Sequence, residues 1–537
     1  MQPQLIGYLL SYLLFRPVSL VEMLAKLFDF ILLDRFKRWF TPHDMQTAYQ
    51  NGKSSGDHIF FARCFIEVFN VSKTKLFITA VDFDGAFDRV KRSTLLRKLV
   101  LFGASSIFVA CLANLYSISG NLIYSNGASI TYMLFSGIKQ GLPLSPYLFL
   151  FYIDDVFEYL DSIFSTGQSN VFEKLHILIH ADDANLIATT KELMIRKCTS
   201  MLEYCKLNSI ILQASKCFFI VINGSVEDKE SLQIGAEDPI TNQDHLEILG
   251  SHISGCVNRD LELHFKKRFK NVIKYFNYIN ANRIAPVAVK LKVLKSCVMS
   301  TLLYNCETWG PHIPDGLNEM YMKMLRAALG VRTNCPNLIL LIEAGCLPLQ
   351  CLIQSRQLNF FRKFKKSLAP NSVRESIFKE MLSRRTKFLQ HYCDLDEQFT
   401  DKRSLIGKHM AELRENIRKM GTNKEKHYKY WIYLQFNPEL THSPFLKRID
   451  PIGKSMIKFR LGSHKLRIET GRWNRTPRAE RLCTTCSQLG DEYHTLFHCS
   501  EICRDDLLDM PNDFSSIWNY EGVNRLFQRI RDAEYVE

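Results

Sequence analysis

Leu175–Thr190 reads LHILIHADDANLIATT, an apolar, β-branched run broken at its centre by two adjacent aspartates, Asp182 and Asp183. The pattern is strand, tight acidic turn, strand: a hairpin with two carboxylates at its tip. Alone, such a turn is most often a solvated corner. A second stretch upstream changes the reading. Lys75–Val90, KLFITAVDFDGAFDRV, has an apolar strand from Leu76 to Val81 that ends on Asp82 and passes into a helical segment near Ala86. A strand ending on a carboxylate can lie beside the acidic hairpin and bring three oxygen donors together. Like charges packed so closely in a partly buried site cannot all stay ionised alone. Divalent cations relieve the conflict, and magnesium favours carboxylate oxygens together with substrate phosphates. Two such ions roughly 3.5–4 Å apart stabilise both the attacking and the leaving oxygen of an in-line phosphoryl displacement.

Between these stretches lies Ser136–Phe149, SGIKQGLPLSPYLF. Gly137 and Gly141 allow backbone to come close to a ligand. Ser145 is suited to cap a helix and Pro146 to begin one, and the apolar run Tyr147–Phe157 fits a buried helix. With the three elements in this order, the chain resembles the reverse transcriptases of non-LTR (LINE-like) retrotransposons. Their pattern is an aspartate-ended strand, then GxxQGxxxSP, then a strand-turn with two aspartates. The resemblance implies an α+β right-hand polymerase, with fingers and palm holding an antiparallel catalytic sheet, followed by an α-helical thumb and a C-terminal zinc-knuckle region.

Composition agrees with that class without requiring it. At 537 residues the chain exceeds one core, and 46% hydrophobic with 23% charged residues is ordinary for a globular protein. A net charge of +14 favours a polyanionic partner. Arg356–Lys429 alone holds 19 Lys/Arg against 9 Asp/Glu, a local excess of +10. The sixteen cysteines, mostly scattered singly, read as reduced thiols of an intracellular, unsecreted protein. The apolar run Leu5–Phe15 stops at Arg16-Pro17 and is too short to span a membrane.

Taken in order, RPVSLVEMLAKLFDFILLDRF (16–36) places Leu20, Met23, Leu24, Leu27 and Ile31 at helical spacing, a core helix opening the fingers. QTAYQNGKSSGD (46–57) resembles the loop that meets template and incoming triphosphate, with Lys53 where arginine is usual and Gln50 in place of another basic residue. The resemblance implies that Phe83, Phe87, Gln140, Gly141 and Lys53 contact the nucleotide, Phe87 as the ring that excludes a 2′-hydroxyl. It makes Asp82, Asp182 and Asp183 catalytic ligands of two magnesium ions and Lys216 a general acid to pyrophosphate. Ser93 is expected to cap the helix TLLRKLVLF, and the pair Asp154-Asp155 to face solvent on a helix. Histidine stands at 180, giving HADD where the family has tyrosine or phenylalanine. HLEILG (245–250) resembles the primer-grip hairpin.

Basic helices from about 256 to 350 suit a thumb riding on duplex phosphates. Residues 351–470, with Phe360, Phe361, Phe364, Tyr428, Tyr430 and Trp431 among basic side chains, read as a helical nucleic-acid-binding extension. Cys483 and Cys486, spaced C-x2-C, with His494 and Cys499 match a closed zinc site in which His498 could replace Cys499. The expected domains are thus 1–240 (fingers and palm), 241–350 (primer grip and thumb), 351–470, the knuckle 471–503 and a tail 504–537. The resulting expectation is an RNA-directed DNA polymerase, nuclear and cytoplasmic, acting on an RNA template, a DNA primer and deoxynucleoside triphosphates, without the endonuclease usual in the family. The alternatives are a decayed relic that only binds RNA and an intron maturase, the latter disfavoured by the knuckle.

Overall fold

The computed structural model describes residues 22–503, except 118–119, 126–127, 134–135, 166–170, 236 and 283, together with 507, 510–533 and 535. Leu5–Phe15 and the RPVSL segment lie outside the described residues. The chain folds as two compact units. One runs to Asp260 and includes Phe360–Cys393, and the other comprises Leu261–Asn359 and Asp394 onward. These limits differ from the expected boundaries near 240, 350 and 470. The reason is a packing interaction that sequence position does not reveal.

In the first unit, apolar alternation produces a five-stranded sheet in the order β4-β5-β1-β6-β7. Its strands are β1 (Leu76–Val81), β4 (Ile177–His180), β5 (Asp183–Ala188), β6 (Phe218–Ile222) and β7 (Thr241–Asn242). Two hairpins stand apart, β2 (Gly120–Ser125) with β3 (Ala128–Met133), and β8 (Leu246–Ile248) with β9 (Ser251–Ile253). Leu249 and Gly250, both with positive φ, turn the second of these, as expected of the HLEILG segment.

Helix Ser55–Ser72 is the main support of this core. Asp57 caps it, accepting from the Ser54 N–H (2.9 Å) and hydroxyl (2.6 Å), and its other oxygen takes Arg374 Nη2 at 2.9 Å. On the same helix, Phe60 is ringed by Phe364 and Tyr392 (both 4.9 Å between centroids) and Phe360 (5.3 Å). The rings at 360, 361 and 364, expected to face nucleic acid, are therefore core, and this packing draws Phe360–Cys393 into the first unit.

Helix Met23–Trp39 buries Asp29, Leu32, Leu33 and Phe36. Of the stripe expected to pack, Met23 (84%), Leu24 (77%), Leu27 and Ile31 are instead exposed, while Leu20 lies outside the described residues. The helix is apolar on nearly every side, so periodicity alone picks the wrong face. Asp29 turns inward because Leu144 N–H donates to its carboxylate at 2.7 Å.

The second unit is helical. Three buried glutamates organise it. Glu343 binds Arg460 (2.9 and 3.1 Å) and the Tyr433 hydroxyl (2.8 Å). Glu469 pairs with Lys429 at 3.0 Å, and Glu492 accepts from the Tyr428 hydroxyl at 2.6 Å. Several cations and aromatics of the expected extension are thus internal. The expected tail contains helix Val523–Asp532, anchored by Val523, Leu526, Phe527 and Ile530. Among the described residues, no single helix is long and apolar enough to cross a membrane.

Candidate active site and metal centre

The register of the sheet gathers the acidic residues. β1 and β5 are antiparallel with Val81 opposite Ala184, so Asp82 follows directly across from Asp183. β4 and β5 pair His180 with Asp183, leaving Ala181 and Asp182 as the turn. All three carboxylates therefore lie at one end of the sheet. Asp82 and Asp182 are partly buried and Asp183 is exposed. Asp82 is fixed through its backbone: its N–H donates to Cys217 Sγ at 3.4 Å, and its carbonyl accepts from Gln213 N–H at 3.1 Å.

Past Asp82 the chain makes turns rather than the expected helix, which starts only at Arg92. Ser93 lies inside that helix, not at its cap. The turns have a purpose: they let the glycine element fold back. Ile138 N–H donates to the Phe87 carbonyl and Gly137 N–H to that of Val90, both at 2.9 Å. Gly137 has φ 80°, and a Cβ there would sit 2.6 Å from the Asp88 carbonyl oxygen, so no larger residue fits. Arg92 clamps the loop, giving Nε to the Gly137 carbonyl (2.9 Å) and Nη2 to that of Ser136 (3.2 Å). No signal in the sequence distinguished this arginine.

The expected nucleotide-binding side chains have different surroundings. Phe87 stacks on Phe149 at 4.8 Å and 18°. Gln140 Nε2 donates to the Asp88 carboxylate at 3.1 Å, and Gly141 has φ 109°. Phe83 is buried and bridges Leu212, so it faces the core. Lys216 is exposed in the single turn Ala214–Lys216 that precedes β6. Lys53 is engaged: its ammonium lies 3.1 Å from the Asp44 carboxylate and 2.8 Å from the Asp44 carbonyl, and burial pushes its pKa down. A phosphate contact would require it to leave these partners. Ser145 is the first residue of helix Ser145–Asp154 rather than its cap. His180 Nδ1 lies 2.9 Å from Thr47 Oγ1, and burial lowers its pKa.

In the second unit, Cys483, Cys486, His494 and Cys499 converge, with one ligand atom from each lying within 4.8 Å of all the others. Both Cys483 and Cys486 have Sγ 4.0 Å from that of Cys499. Zinc–sulfur bonds near 2.3 Å in a tetrahedron put sulfurs about 3.8 Å apart, so the separation fits. His494 Nδ1 contacts Gln488 Oε1 at 3.1 Å, while its Nε2 is buried without a hydrogen-bond partner. A metal-ligating histidine is held in this way, with one nitrogen braced and the other left for the ion. His498 is exposed and packs on Tyr493, whereas Cys499 is buried within the group. Among the described residues this is the only such convergence. The aspartates share a sheet end without closing into a cluster, as expected of like charges.

The sheet thus carries three acids at one end, on an adjoining strand end and hairpin tip, beside a glycine loop that folds back on the segment after β1. Residues 14–253 match the family described as reverse transcriptase (RNA-dependent DNA polymerase). Over 216 residues the chain is 25% identical to the "Retrovirus-related Pol polyprotein from type-2 retrotransposable element R2DM" of Drosophila melanogaster, 40% of this chain and 20% of that protein. Over 212 residues it is 25% identical to the Pol polyprotein from type-1 retrotransposable element R2 of Popillia japonica, 39% of this chain and 30% of that protein. Over this stretch the chain is thus similar to reverse transcriptases, and the relatives that match it are Pol polyproteins of retrotransposable elements. It spans only about a fifth to a third of the length of these relatives. Among solved structures, telomerase from Candida albicans with a fragment of telomeric RNA aligns over 67% of this chain and 58% of that one, at 11% identity and TM-score 0.31.

Proposed function

We propose that the protein is an RNA-directed DNA polymerase that extends a DNA primer on an RNA template with deoxynucleoside triphosphates. The observation that carries this reading is the β1–β5 register, which sets Asp82 across from Asp183 beside the turn holding Asp182. The donor set is all hard oxygen and reachable from solvent, which fits magnesium. Two magnesium ions held by Asp82, Asp182 and Asp183 would supply charge stabilisation for the attacking and leaving oxygens.

The remaining residues bind and orient. Phe87, braced by Phe149, gives a rigid wall against the sugar, and Gln140 with Gly141 forms the floor for the paired bases. Lys216, exposed ahead of β6, is available to neutralise or protonate departing pyrophosphate. The exposed cations of the second unit serve the duplex backbone. The four donors at 483, 486, 494 and 499 hold one structural zinc ion, and their reduced thiols suit an intracellular setting, nuclear and cytoplasmic.

The decisive experiment is primer extension on an RNA template with magnesium. Asp182→Asn should lose activity by about a thousandfold or more while still retaining RNA. Silence in the parent with RNA still bound would leave only a binding protein. For the zinc site, the purified chain should hold one zinc ion per molecule, lost in Cys499→Ser and kept in His498→Ala. Loss in both would return His498 to the ligand set.

A further inference from the structure

Gln46 belongs to the loop that resembles a template- and nucleotide-contacting segment, yet it is only 1% exposed. Its side chain reaches the acidic hairpin. Oε1 accepts from the N–H of Ala48 and from that of Ala181, each at 3.0 Å. Ala181 immediately precedes Asp182 and has φ 58°. Asp182 itself is not left-handed, so the two-residue tip has positive φ at its first central position alone. That is the type II′ pattern, which favours glycine at this first position. Alanine there needs outside support to hold the conformation.

The support comes from residues 45–48, which run along β4, the edge of the sheet. Thr47 N–H donates to the Ile179 carbonyl at 3.0 Å, and Ile179 N–H to that of Met45 at 3.4 Å. Gln46 and Ile179 form a parallel bridge. Thr47 Oγ1 adds the contact to His180 Nδ1 at 2.9 Å. With the backbone registered in this way, the Gln46 carboxamide catches the first N–H of the turn beyond the strand.

We propose that Gln46 is a positioning residue for the catalytic acids. By accepting the Ala181 N–H it fixes the left-handed turn and thereby sets where Asp182 leaves the hairpin before substrate arrives. The catalytic half of this inference rests on the polymerase reading. The structural half does not. Gln46 touches no reacting group; it acts through Ala181.

Two measurements on the full-length chain test it. Leucine at position 46 keeps the bulk without an acceptor, whereas glutamate keeps an oxygen for both N–H groups in either protonation state. In Gln46→Leu the Ala181 amide should exchange with solvent about tenfold faster or more, and Gln46→Glu should restore its protection. In primer extension, Gln46→Leu should lower kcat on the order of ten- to a hundredfold, with the nucleotide KM within about twofold. Ala181→Gly, which adopts the turn unaided, should recover most of that loss in the Gln46→Leu background. Should Gln46→Leu lose its unfolding transition, Gln46→Asn replaces it, since its oxygen falls one methylene short. A rise in nucleotide KM at constant kcat, equal losses in the leucine and glutamate variants, or unchanged exchange at Ala181 would each overturn the proposal. If the parent extends no primer, the polymerase reading fails, and exchange alone decides whether the clamp exists.

Discussion

Two pairs of adjacent aspartates lie in the first unit, and the protein treats them in opposite ways. Asp154-Asp155 sits at the joint between helices Ser145–Asp154 and Val156–Phe164. Protein donors come to it. Asp154 accepts from His43 N–H at 2.9 Å, and burial pushes its pKa up to about 7. Asp155 takes Lys98 Nζ at 2.8 Å and the Tyr204 hydroxyl at 2.5 Å. This pair was expected to be a solvated helix face; it is an internal strut. Asp182-Asp183, by contrast, stands at a hairpin tip, with Asp183 exposed. Adjacency of two carboxylates therefore says little. What separates the two pairs is their place in the fold, a joint between two helices for one and the tip of a hairpin at the sheet end for the other.

Substitutions at the acidic sheet end and at the helix joint should separate those roles. The largest effect belongs to the sheet end: Asp82→Asn should lower primer extension by about a thousandfold or more, with the unfolding temperature nearly unchanged. A large fall in stability instead would mean that Asp82 is a strut as well. Asp155→Ala should do the reverse. It strands the Lys98 ammonium, whose side chain is 8% exposed, and should cost about 3 kcal/mol by denaturant unfolding.

Asp154→Asn should have the smallest effect, and one that depends on pH. The folded pKa of about 7 lies above the ordinary 3.8. Protonation of Asp154 therefore contributes stability fully below the ordinary value, and that contribution is lost as pH rises through about 7. Asparagine keeps the oxygen that accepts from His43 without the charge. The variant should be more stable than the parent by about 2 kcal/mol at pH 8, and the two should converge toward pH 4. A difference independent of pH would show that Asp154 titrates normally.

The acidic and glycine-rich stretches were legible because they are local. The apolar run ending at Asp82, the acidic turn and GIKQG each carry their signal within about fifteen residues. The convergence of Cys483, Cys486, His494 and Cys499 was legible for the same reason. What could not be read depends on partners far along the chain. Asp154 needs His43, Gln46 needs Ala181, and Phe60 needs Phe364; none of these pairs shares a periodicity. The helix Met23–Trp39 shows a second limit. Its spacing predicts which residues share a face, but with apolar groups all round it cannot say which face meets the core.

The insertion of Phe360–Cys393 into the first unit has a consequence for synthesis. Phe60 and Asp57 are made early, yet the rings and the Arg374 guanidinium that enclose them emerge from the ribosome some three hundred residues later. Domains usually close as their own stretch of chain is completed. Here the sheet and its acidic end must wait, with an aromatic face uncovered, until all of the second unit's first segment has also been made. A chain stopped after residue 350 should hold every catalytic residue and still aggregate, whereas one that runs past Cys393 has the pieces to seal that face.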